Sequence, residues 1–362
     1  MSNNSEKKED NNRNNKLLSN DKLENKIKNE NYTNINENSD REIQILVNTS
    51  IKTFSDILIF NSIDNILYAI YSGNKSIICY NIIDNKKINE IKNAFNYADI
   101  IFKYHFDKKN KNDLILTISC FELNIKLWKI NDLECLLNIE KIYEEGFLNS
   151  ACFLNENNKM YIITSNYNLD YNSEPIKVYD LNGNKIGEIN DSKKDGIFCI
   201  ESYYDNKLSK NYIITCNKGF IKSYDFNENK KYRRYNDDDE DFKRDEQIII
   251  YNNKEMTKLI VSNSDGKIMI WNFHSGSLLS TIKVNNCKLF GILLINEKNI
   301  FIGCEDGWIK SVDIESEKFV KNLILFKKEV LIIKKIIHPK YGQCFLSQNR
   351  EKNNNNIVFW KI

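Results

Sequence analysis

From residue 41 the chain alternates short runs of Ile, Leu, Val, Tyr and Phe with turns of Asn, Asp, Gly and Ser. No stretch keeps a helical period over a dozen residues. That texture predicts an all-β fold. The stretch SNSDGKIMIWNFHSG (262–276) shows the unit clearly: a turn at Asp265-Gly266, an apolar strand ending in Trp271, and a second turn at Gly276. Residues 1–40 are different. Asn, Lys, Glu and Ser dominate there, and the scattered apolar side chains cannot offset the entropy of ordering. They are expected to form a disordered tail.

The unit recurs. It aligns with LYAIYSGNKSIICYNIIDNK (67–86), LILTISCFELNIKLWKIND (114–132), YIITCNKGFIKSYDFNENK (212–230) and IFIGCEDGWIKSVDIESEK (300–318), and with longer variants at 161–185 and 344–362. Each copy has an anchor: Tyr80, Trp128, Tyr179, Tyr224, Trp271, Val312 and Trp360, spaced 41 to 51 residues apart. Gly recurs five residues before the anchor at 219, 266 and 307, where a tight hairpin needs positive φ. A small residue recurs eight before it, as Cys120, Cys216, Asn263 and Cys304. An apolar strand precedes each unit and a more polar one follows. Four strands per unit and seven units predict a seven-bladed β-propeller of four-stranded antiparallel blades over residues 41–362. The last copy stops after its third strand, and REIQILVN (41–48) is expected to supply the fourth and close the ring.

These units resemble the WD-repeat family. Where that family has Trp-Asp, the chain reads Tyr80-Asn81, Trp128-Lys129, Tyr179-Asp180, Tyr224-Asp225, Trp271-Asn272, Val312-Asp313 and Trp360-Lys361. The resemblance implies a non-catalytic scaffold for protein or peptide partners, built as a monomeric propeller. One departure stands out. The family's blades often carry a His–Ser–Asp–Trp hydrogen-bond network, yet none of the three histidines here, His105, His274 and His338, lies where it is needed. Asp265 with Trp271 is expected to keep part of the network, and Asp306 keeps the turn aspartate. Blade stability should then rest on packing more than on buried polar bonds.

Composition narrows the function classes. The 52 basic and 50 acidic residues give a net charge of +2, so no global field draws the protein to nucleic acid or membrane. The nine cysteines are odd in number and lack C-x-x-C spacing, which reads as packing residues in a reducing compartment. With no long apolar run and no secretory signal, the expected location is the cytoplasm, with the nucleus as alternative. No nucleophile elbow, H-E-x-x-H, paired-cysteine motif or phosphate loop is present. No metal or cofactor is therefore expected, and a propeller enzyme ranks third among the readings.

Two features could carry function. Phe220 and Trp308 sit four residues before their anchors, and Phe121 lies in another blade's turn. In the resembled family the turns between second and third strands form a face on which partners dock. Phe121, Glu122, Lys218, Phe220, Asp265, Glu305, Asp306 and Trp308 are accordingly the candidate partner-binding residues. The competing expectation is that Phe220 and Trp308 pack between blades. The second feature is Arg233-Arg234, placed after a fourth strand, which suggests a peripheral phosphoinositide- or membrane-binding propeller as the alternative function. Against it, Tyr235 stands where that motif has Gly, and the acidic run 237–241 would repel anionic lipid. Interleaved charges give direct nucleic-acid binding no support.

Overall fold

Seven apolar strands stand side by side around a central channel, each the first strand of a blade. They are Ile57–Asn61, Ile100–Asp107, Phe147–Glu156, Cys199–Asp205, Asp245–Asn252, Leu289–Leu294 and Val330–His338. The computed structural model describes residues 32–33 and 44–361, apart from 54–55, 63–65, 74, 85, 98–99, 131, 171, 218, 236–244, 253–254 and 350–354. From each first strand the chain hairpins outward through a second and a third strand, and in blades 1 to 6 on to a polar fourth one. Seven antiparallel four-stranded sheets result, and the molecule is a seven-bladed β-propeller. Blade 5 shows the pattern: Asp245–Asn252, Thr257–Asn263, Lys267–Asn272 and Leu278–Lys283.

Blade 7 takes its outer strand from the other end of the propeller. Gln44–Thr53 runs antiparallel to Asn355–Lys361, with Gln44 opposite Lys361 and Thr53 opposite Asn355. Of the tail 1–40, only Tyr32 and Thr33 are described. They bridge to Phe326 and Leu325 on the outer edge of blade 6. The rest of that tail, and residues 41–43 of the expected closing strand, lie outside the described residues.

The core is divided. Seven hydrophobic clusters lie between neighbouring blades rather than at one centre. A strand covered by a blade on either side must be apolar on both faces, which is why Ile268, Met269, Ile270 and Trp271 follow one another without a polar residue. Every anchor packs into the cluster shared with the blade before it. Trp128 joins blade 1, Tyr179 blade 2, Tyr224 blade 3, Trp271 blade 4, Val312 blade 5 and Trp360 blade 6, and Tyr80 reaches back to blade 7.

The polar network differs from expectation. Trp128 Nε1 donates to Thr117 Oγ1 at 2.8 Å, and Trp360 Nε1 donates to Ser347 Oγ at 2.7 Å. Trp271, expected to keep part of the network with Asp265, does not. Its Nε1 is buried with no hydrogen-bond partner among the described residues. The reason lies one strand away. Thr117 and Ser347 pair with the residues two before their anchors, Lys126 and Val358, whereas the residue in that register in blade 5, opposite Met269, is Val261. Valine has Thr's shape without its hydroxyl. Val261→Thr should therefore raise stability by about 1 kcal/mol, by giving a buried donor its acceptor. Urea denaturation measures this, and a lower unfolding midpoint would refute the account.

A second polar device takes over where histidine is missing. Lysines two residues before the anchors of blades 2, 3, 4 and 6 reach across to the link that enters their own blade. Lys126 Nζ donates to the Ala94 carbonyl at 2.7 Å and Lys177 Nζ to Ile142 at 2.7 Å. Lys222 Nζ donates to Asp191 at 3.3 Å and Lys310 Nζ to Val284 at 3.4 Å. All four ammonium groups also sit over rings, Lys126 on Phe95, Lys177 on Tyr143, Lys222 on Phe220 and Lys310 on Phe319, at 4.7, 4.3, 5.3 and 5.8 Å from the centroids. The aliphatic stem of each lysine lies in the blade interface while its head clasps the link.

Candidate interaction face

In each blade the first strand leaves from the link joining it to the blade before, and the second strand returns toward that link. The turn between second and third strands therefore lies at the same end of the ring as the links. This end holds every sequence-predicted contact residue except Lys218, which lies outside the described residues. The ring geometry spreads them over blades 2, 4, 5 and 6 and does not bring them together.

Most of these residues are already committed to local structure. Asp306 Oδ1 accepts from Trp308 N at 3.2 Å and Oδ2 from Asn285 Nδ2 at 2.7 Å. Glu305 exchanges hydrogen bonds with Lys288, accepting from its N–H and donating to its carbonyl. The Asp265 carbonyl accepts from Lys283 Nζ at 2.6 Å. Trp308 is half-buried against the cluster between blades 5 and 6. Phe220 is covered: the guanidinium of Arg234 lies 3.9 Å from its ring centroid and Lys222 Nζ 5.3 Å. For these two aromatics the geometry is that of packing.

Phe121 behaves differently. It is 52% exposed and is the second member of an unbroken series of rings that begins at Tyr97. Its centroid is 5.6 Å from that of Tyr97, itself 53% exposed, and 5.6 Å edge-on from Phe147. Phe147 continues to Tyr167 at 5.5 Å, and Tyr167 to Phe198 at 5.1 Å. The five rings form an arc over blades 2, 3 and 4 on the link side of the ring. Sequence reading reached only Phe121. Tyr97 and Phe198 lie in links, Phe147 opens a first strand and Tyr167 closes a second, so no repeat register relates them.

The turn that presents Phe121 is held tightly. Ile142 N donates to the Leu123 carbonyl at 2.9 Å and Leu148 N to the Cys120 carbonyl at 3.1 Å, which ties the turn to the link entering blade 3. Glu122 accepts from Asn96 N and thereby fixes the link that carries Tyr97. Where blades 4, 5 and 6 have Gly at φ +84°, +77° and +89°, blade 2 has Leu123 at φ +56°. A branched side chain in the left-handed region costs about 1 kcal/mol. The turn keeps this strained residue beside its most exposed ring.

Charge around the arc is uneven. Glu122, Glu144 and Glu145 flank the Tyr97–Phe121–Phe147 end, and Lys193 and Lys194 precede Phe198 at the other. Below, in the channel wall, Lys103 Nζ pairs with Glu201 at 2.6 Å, linking the first strands of blades 2 and 4. Burial alone would lower the Lys103 pKa, but Glu201 outweighs it and holds the ammonium above its ordinary range. Nearer blade 4, Tyr224 donates to Asp195 Oδ2 at 3.1 Å, and burial, reinforced by that carboxylate, pushes its phenol up.

The expected placement of Arg233-Arg234 needs correction. The pair does not follow the fourth strand of blade 4 but lies inside it, in Lys230–Tyr235. Successive strand residues point to opposite faces. Arg233 accordingly lies against Gly276 of blade 5, and Arg234 against Phe220 of its own blade. Two guanidinium groups so arranged cannot close on one phosphate. The acidic run 237–241 lies outside the described residues.

The opposite end of the ring has a cleft of about 720 Å³ beneath blades 2–4, lined in part by His105, Phe153, Met160 and Tyr204. Two of its polar groups are spent internally. Asn211 donates to the Asn155 carbonyl at 2.8 Å and Ser202 to the Phe153 carbonyl at 2.7 Å. Burial lowers the pKa of His105.

None of the nine cysteines is joined in a disulfide. Among the described residues no helix is long and apolar enough to cross a membrane. No family model matches the chain, and neither does any curated protein.

Proposed function

We propose that the protein is a WD-repeat-type propeller that serves as a non-catalytic platform for a protein or peptide partner, which docks over blades 2–4 on the link side of the ring. The observation that carries this reading is the aromatic arc with its two open members, Tyr97 and Phe121. Water-exposed rings in mutual contact leave apolar surface uncovered that a partner would cover, and aromatic anchors dominate such contacts. The scaffold supports the role. Hydrogen bonds from two links fix the Phe121 turn, so little ordering entropy is lost on docking. Cysteines held as thiols accord with a reducing compartment, cytoplasm or nucleus.

Affinity purification with the intact chain and with Phe121→Ser tests this reading. Phe121 is half in solvent, so the substitution should leave the melting temperature within about 2 °C while at least one specifically retained protein is lost. Equal retention by both proteins would refute docking at the arc.

A further inference from the structure

The arc is not electrically neutral, and its polarity indicates what it binds. Three carboxylates lie beside its most exposed end. Glu122 adjoins Phe121, and Glu144 and Glu145 come just before Phe147. None of the three forms an ion pair with a described residue, and Glu144 and Glu145 are exposed. The nearest strand lysines are already engaged with protein groups. Lys126 binds the Ala94 carbonyl, and Lys177 binds the Ile142 carbonyl and pairs with Glu174 at 2.9 Å. The rings act in the same direction as the carboxylates. The face of an aromatic ring is the negative pole of its quadrupole and attracts ammonium and guanidinium groups. Tyr97 and Phe121 are each about half exposed, so part of each ring is open to solvent. Open ring surface and carboxylates without an ion-pair partner favour a cation, with Glu144 and Glu145 the more open, since Glu122 also accepts from Asn96 N and Asn124 Nδ2. Lys193 and Lys194 at the Phe198 end disfavour one there, and so set a direction along the arc.

We infer that the arc binds a basic peptide segment, one that places an apolar or aromatic side chain on the rings and a lysine or arginine against Glu122, Glu144 and Glu145. The inference rests on the platform reading. It also goes further, because a platform could equally hold neutral or acidic segments.

The test pans a phage-displayed library of random twelve-residue peptides on the full chain and, as counter-selection, on Phe121→Ser. Enriched peptides are then synthesised and titrated by fluorescence polarisation. Peptides dependent on Phe121 should pair an apolar or aromatic residue with at least one Lys or Arg. Their affinity should fall about five-fold or more in Glu144→Gln/Glu145→Gln, which removes charge while keeping the Glu144 N–H that donates to Glu174. It should also weaken as salt rises from 50 to about 300 mM. Enrichment of neutral or acidic peptides that need Phe121 would overturn the basic specificity and leave the platform reading standing. So would basic peptides indifferent to the glutamine pair. If no peptide depends on Phe121, both fall together.

Discussion

Deleting residues 44–53 should abolish cooperative folding. The truncated chain is expected to melt at least about 10 °C below the intact protein or to aggregate on heating. Among the described residues the strand is the only outer cover of Asn355–Lys361, whose Ile357, Val358, Phe359 and Trp360 are almost completely buried. Its loss exposes the hydrogen-bonding edge of a long apolar strand, the geometry that recruits another chain. It also separates the two ends of the ring. Blade 7 shares one cluster with blade 6 and another with blade 1, and both need its sheet in place. At about 2–4 °C per kcal/mol for a domain of somewhat smaller size, the loss of even a few kcal/mol is plainly visible. Scanning calorimetry with light scattering decides the matter, and a melt indistinguishable from the intact protein would show that the ring does not depend on this strand.

Asp195→Ala is the point substitution expected to destabilise most. Asp195 forms an ion pair with Lys222, and both side chains are about nine-tenths buried. Removing the carboxylate strands an ammonium group in the interface between blades and takes an acceptor from Tyr224. Breaking a buried pair from one side typically costs about 3–5 kcal/mol. A second substitution should restore much of this. In blade 5 the residue matching Lys222 is Met269, fully buried and uncharged. Lys222→Met in the Asp195→Ala background therefore puts an apolar side chain where the molecule already accepts one, and should recover at least about half of the loss. Urea unfolding of the two variants measures both steps. A single variant less than about 1 kcal/mol below wild type would mean that the pair is screened by water.

The architecture was legible because it is written seven times. Anchor, turn glycine and small residue keep one register, and the structure places Gly219, Gly266 and Gly307 at positive φ as that register requires. The lysine clasp was also legible in principle, since the pair Ile-Lys stands before the anchors in NIKLW, PIKVY, FIKSY and WIKSV. The aromatic arc was not legible. Positions 97, 121, 147, 167 and 198 belong to links, a turn and strand ends of three blades, and only the closure of the ring makes them neighbours. The cover over Phe220 was not legible either. What covers it is Arg234, whose position opposite Lys222 depends on a bulge between Ser223 and Tyr224. A one-residue slip there would have turned the arginine to the other face.

The closing ladder of blade 7 also gives the ring a mechanical weak point. Gln44 and Lys361 face each other at the same end of the two strands. Tension applied across residues 44 and 361 would load the hydrogen bonds of that ladder one pair after another, as in a zipper pulled from its open end. Strands pulled from opposite ends would share the load among all their bonds at once. The seam that makes the ring continuous is therefore also the place where it yields first to a pull on its ends, with blades 1 to 6 still folded when it parts.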